Sequence, residues 1–89
     1  MQVTLYSREG CHLCEEALEV VRAECTAAGV PWQVVDIADD PVLQQRYAEL
    51  IPVVLVDGRE VGHWRIEVSA LRRALRPRWW QRGAARSRR

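Results

Sequence analysis

Two cysteines three positions apart, Cys11 and Cys14, are the residues of this chain best suited to chemistry. Paired thiols at that spacing either hold a metal or pass electrons by making and breaking a disulfide. A zinc site needs four ligands, commonly two such pairs or one pair with a spaced pair of histidines. The chain offers His12 inside the motif and His63 alone, so no resident metal is expected. That leaves thiol–disulfide exchange, in which one thiolate attacks a disulfide and the second thiol resolves the mixed species. Cys25 is a different case: it continues an apolar stripe and reads as core.

The elements around the pair follow from periodicity. Residues 2–6 alternate polar and apolar, a first strand. Residues 7–10 carry turn chemistry and end in Gly10. From residue 11 to about 28 the pattern becomes helical, with Cys14, Leu18, Val21, Cys25 and Ala28 on one face and Gly29 at the C-cap position. The pair therefore opens a helix. A helix N-terminus presents unpaired N–H groups and roughly half a positive charge, both of which favour a thiolate. Cys11, at the exposed tip, is the expected nucleophile, and Cys14, one turn inside, the resolving thiol. Arg8 and any protonated His12 add positive charge. Glu9, Glu15 and Glu16 oppose it through screened, exposed charges.

Further along, residues 32–37 read as a second strand. Asp39-Asp40-Pro41 starts a helix over residues 41–48 that turns Leu43 and Tyr47 inward. The unbroken apolar run 53–56 suits a central strand covered on both faces. Asp57-Gly58 is a hairpin signal leading to a fourth strand at 59–62. A last helix covers residues 66–75, and Pro77 stops it. Pro52 belongs at the start of the third strand, beside the cysteines, because a proline cannot donate to a sheet ladder. On the residues alone a trans Ile51–Pro52 bond is expected, since cis is rare even before proline. A cis bond would leave backbone groups around Pro52 to pair with an extended substrate.

Eighty-nine residues with 48% apolar content fit a single small domain, residues 1–76, followed by a basic and largely disordered tail, residues 77–89. The net charge of +1 conceals an asymmetry. Residues 1–71 hold five Arg against all 12 acids, a formal −7, whereas residues 72–89 hold eight Arg and no acid. The tail mixes Arg with Trp79 and Trp80, a composition able to meet phosphates and bases. A solvated, non-specific tail is the expectation, and nucleic acid is not the expected partner. An odd cysteine count argues against a secreted disulfide framework. No run approaches the ~20 apolar residues of a membrane span, and the N-terminus carries no secretory pattern, so the expected address is the cytoplasm and the expected state a monomer. His63 and Trp64 follow the fourth strand. The expectation is a loop histidine in water and a tryptophan packed under the last helix, with a substrate groove as the alternative.

With these residues in hand, the chain resembles the glutaredoxin-like branch of the thioredoxin superfamily. Three pieces carry the resemblance: the run from Leu5 to Cys14, Ile51-Pro52-Val53-Val54, and the hairpin at Asp57-Gly58 followed by Gly62 and a final helix. It implies an α/β, thioredoxin-like fold of glutaredoxin type, in the order β-α-β-α-β-β-α, with a four-stranded mixed sheet flanked by helices and a cis peptide at Pro52. It implies an enzyme that exchanges disulfides of proteins or low-molecular-weight thiols and binds no cofactor. The implied electron donor is glutathione, another small thiol or a reductase. Arg8 corresponds to a basic residue that helps hold the thiolate and a glutathione carboxylate. Arg8, His12, Leu13, Ile51, Pro52 and Val53 are the expected substrate-binding residues. The chain departs from ordinary glutaredoxins in having His12-Leu13 for Pro-Tyr between the cysteines. It also has one glycine, Gly62, where they carry a Gly-Gly-x-Asp stretch. Two rival readings are a non-enzymatic binding module working through the basic tail, and a Cys-ligated metal or iron–sulfur carrier.

Overall fold

The computed structural model describes residues 1–76. The expected basic tail, residues 77–89, lies outside the described residues. The elements run β1 (Val3–Ser7), α1 (His12–Ala28), β2 (Trp32–Asp36), a short 3-10 turn (Ile37–Asp39), α2 (Pro41–Tyr47), β3 (Val53–Val56), β4 (Arg59–His63) and α3 (Val68–Ala74). Among the described residues the strands form one mixed sheet of four in the order β2-β1-β3-β4. β1 runs parallel to β2 and antiparallel to β3, and β4 returns antiparallel to β3.

The sheet is covered on both faces. Val3, Leu5, Val54 and Val56 pack with Ala17, Val21, Cys25, Leu71 and Leu75 from α1 and α3. A second cluster holds Cys14, Ile37 and Ile51, joined by Tyr6, Cys11, Leu43 and Tyr47. Leu5 and Tyr6 enter different clusters because successive strand side chains point to opposite faces. All four residues of β3 are buried, which is why its sequence is an unbroken apolar run.

Local chemistry fixes the boundaries. α1 stops at Gly29, whose φ of 69° is the left-handed conformation a side chain disfavours. Val30 N–H donates to Cys25 O at 2.9 Å and Gly29 N–H to Thr26 O at 3.2 Å, closing a Schellman cap. Asp40 caps α2 by accepting from Val42 N–H at 2.9 Å and Leu43 N–H at 3.4 Å. Asp57 and Gly58 both take positive φ, 51° and 82°, the signature of a type I′ hairpin turn. Arg72 of α3 donates to both carboxylate oxygens of Glu24 on α1, at 2.6 and 3.2 Å. Those hydrogen bonds hold the Glu24 carboxyl below its usual range.

Three local expectations change. β2 ends at Asp36, and Ile37 leaves the strand because Asp36 Oδ1 accepts from Ala38 N–H at 2.8 Å and starts the 3-10 turn. Ala28 is exposed while Ala17 is buried, so the inner stripe of α1 lies one step round from the expected one. α3 begins at Val68, and Ile66 packs from the preceding loop.

Candidate active site

The cysteine pair sits where β1 hands over to α1. Gly10 takes a φ of 77°, and Cys11 N–H donates back to Arg8 O at 3.3 Å, so residues 8–11 form a tight turn. Cys11 is the N-cap of α1, with extended backbone (φ −96°, ψ 112°). Its sulfur accepts the Cys14 N–H at 3.2 Å, taking a donor that a helix start otherwise leaves unpaired. The Cys11 and Cys14 sulfurs lie within bonding distance of each other, and their Cα atoms are 5.2 Å apart, a spacing that disulfides use. Cys11 is half-buried and Cys14 only 5% exposed, so the first thiol can meet a partner and the second cannot without the first. Cys14 joins the Ile37–Ile51 cluster, across the sheet from Val21 and Cys25, which share its helix face.

The expected substrate-binding residues fall on two sides of the pair. Arg8 is exposed and lines a shallow hollow with Ser7, Glu9, Cys11, Glu15 and Val34. His12 is exposed, with Nδ1 3.8 Å from Glu15. Leu13 points into a second hollow, described below. Ile51, Pro52 and Val53 are all buried, and Ile51 packs against Cys14, so the fold does bring the proline segment to the cysteines. The Ile51–Pro52 bond is cis, not the trans form expected from the residues alone. Two nearby backbone groups are committed within the fold. Ile51 N–H donates to Tyr47 O at 3.1 Å, and Pro52 O accepts from Trp64 N–H at 2.9 Å. The expectation of free backbone around Pro52 is corrected for those two groups.

Sequence reasoning missed part of the site. Tyr6 and Tyr47 stack with ring centroids 4.8 Å apart, and the Arg46 guanidinium lies 5.4 Å over the Tyr47 ring. Both tyrosines pack on the cysteine cluster. The period-2 pattern of β1 held a signal for Tyr6, which faces away from Val3 and Leu5. Trp64 is corrected more sharply. It is 54% exposed rather than packed under α3. Its φ of 62° is rare for a residue with a side chain. His63 lies in β4, with Nδ1 2.8 Å from Glu60 Oε2 and its ring edge-on to Trp64 at 4.8 Å. It is not a loop histidine in water.

Cys25 is fully buried. Burial pushes its thiol above the ordinary 9.0, and the Glu24 charge pushes it the same way. Among the described residues, no three His, Cys, Asp or Glu side chains converge as a metal site requires. No helix among them is long and apolar enough to cross a membrane.

Comparison with known proteins agrees with this geometry. A family model described as "Glutaredoxin-like domain (DUF836)" matches residues 2–76. An uncharacterized protein of Mycobacterium tuberculosis is 30% identical over 76 residues, covering 80% of this chain and 78% of its own. A structural-genomics target from X. campestris superposes with a TM-score of 0.66 at 38% identity, covering 82% of this chain and 93% of that one. Reduced Escherichia coli glutaredoxin superposes with a TM-score of 0.57 at 26% identity, covering 72% of this chain and 85% of that one.

Proposed function

The chain belongs to the glutaredoxin-like domain family (DUF836) and has a thioredoxin-like fold, and from that premise we propose that it is a thiol–disulfide oxidoreductase. The observation that carries the reading is the cysteine pair itself: Cys11 caps a helix start, with the buried Cys14 sulfur within bonding distance. Helix N–H groups and the helix dipole stabilise negative charge on the Cys11 sulfur.

In the reducing direction the Cys11 thiolate attacks one sulfur of a substrate disulfide. A Cys11–substrate disulfide forms, and the other substrate sulfur leaves as a thiolate that takes a proton from water. Cys14 then gives up its proton and attacks the Cys11 sulfur. The second substrate thiol departs, and the Cys11–Cys14 disulfide remains. The substrate has gained two electrons and two protons, and the dithiol has lost them. Glutathione, another low-molecular-weight thiol or a reductase returns the pair to the dithiol form, and the protein holds no cofactor of its own. Arg8 and His12 sit on the exposed side of Cys11 and receive the substrate there. Leu13, Ile51, Pro52 and Val53 form the apolar side of the same site. A reducing compartment such as the cytoplasm suits a dithiol of this kind accompanied by an unpaired Cys25.

The reading is tested by trapping. Cys14→Ser protein mixed with a disulfide substrate is expected to accumulate a mixed disulfide on Cys11, visible as a mass increase, and Cys11→Ser is expected to form none. Full turnover by Cys11→Ser would remove the proposal.

A further inference from the structure

A second hollow opens beside the cysteine pair, between α1 and the loop joining β4 to α3. It is lined by Leu13, Ala17, Val20 and Ile66, with Trp64 as one wall and Glu16 and Arg65 at its edges. Leu13 ties it to the redox centre, because that residue lies between the two cysteines.

Trp64 is held rather than loose. Its N–H donates to Pro52 O at 2.9 Å and to Leu50 O at 3.3 Å, and its indole Nε1 donates to Glu49 O at 2.9 Å. The backbone of the proline segment thus fixes the ring on the rim, in a left-handed conformation that few side-chain-bearing residues adopt. A large aromatic already fixed in place loses little entropy when something packs on it.

Charge narrows the occupant. Glu15 and Glu16 stand on α1, Glu49 carries the carbonyl that holds Trp64, and Glu60 faces His63. Against them the hollow sets Arg65. A small thiol with several carboxylates, such as glutathione, meets net repulsion there. A polypeptide with an apolar side chain beside a basic one meets an apolar floor and acidic edges.

Resting on the oxidoreductase reading above, we propose that the Leu13–Trp64–Ile66 groove binds an apolar, basic-flanked segment of a protein disulfide and so selects protein over small-molecule disulfides. The chemistry at Cys11 is unchanged; the groove decides which disulfide arrives there.

The test compares kcat/KM for three probes: a synthetic peptide disulfide with Leu and Arg beside its cystine, the same peptide with Glu for Arg, and glutathione disulfide. In Trp64→Ala the preference for the Arg peptide over glutathione disulfide is expected to fall about tenfold, the scale of losing one good apolar contact. In Glu16→Arg, a change on an exposed helix face, the preference for the Arg peptide over the Glu peptide is expected to fall several-fold. Should Trp64→Ala fail to fold, the Glu16→Arg ratio decides alone. Unchanged ratios, with all three disulfides still reduced, would overturn the groove and leave the oxidoreductase reading standing. No turnover of any probe by the unaltered protein would overturn both.

Discussion

Three cysteines in one chain meet three environments. Cys11 caps a helix and accepts an N–H, Cys14 is buried within bonding distance of it, and Cys25 is sealed among apolar side chains. Cys25 is therefore expected to answer to stability and not to turnover. Cys25→Ser puts a hydroxyl where no solvent reaches, and should cost about 1–3 kcal/mol of unfolding free energy in urea at pH 7. Disulfide exchange should be unaffected. The raised Cys25 pKa sets a pH dependence too. An unfolded Cys25 loses its proton near the ordinary 9.0, whereas the folded one keeps it. Above that pH the unfolded chain binds fewer protons, so stability falls as pH rises towards the folded pKa. Cys25→Ala should show a shallower alkaline loss than the unaltered chain. Equal alkaline slopes would mean that the thiol is not held protonated.

At the scale of elements, short pieces with strong local signals place the site. α1 presents both reacting thiols from its first turn. α2 has seven residues and none fully buried, so it depends on its cap and on Leu43 and Tyr47 leaning on the cysteine cluster. Tyr47 O in turn accepts the Ile51 N–H that leads into the proline segment. Asp40→Ala should lower stability by about 1 kcal/mol, the usual worth of such a cap. It should also speed hydrogen exchange at the Ile51 amide more than at Val54 in the sheet. Uniform exchange across the chain would show that α2 does not hold the proline segment. These signals were legible in the sequence because they are local: Gly29 at a C-cap, Asp40-Pro41 at an N-cap, Asp57-Gly58 at a turn, and Cys11 and Cys14 at a helix start. What escaped was tertiary. The cis bond at Pro52 has no local marker beyond the proline. Trp64 turns outward because Pro52 O and Glu49 O hold it there, and no periodicity records bonds between distant loops. Tyr47 was read as inward, but its stack on Tyr6 requires β1 and α2 on the same face of the sheet.

Taken whole, the molecule is a small mixed sheet that joins its two working segments by pairing β1 with β3. β1 delivers the cysteine loop, and β3 starts at the proline opposite it. The described part also carries all 12 of the chain's acids, while the arginines concentrate from residue 72 onward. An acidic body around a dithiol fits a protein that meets its partners by charge before exchanging electrons with them. That account stands on the Cys11–Cys14 pair being a reversible couple. The direct test is to equilibrate the protein in graded thiol/disulfide buffers and count trapped thiols. A single two-electron transition between about −180 and −270 mV, the range of exchangers of this type, is expected, and it should vanish in Cys14→Ser. A pair that forms no reversible disulfide at any buffer ratio would contradict the account.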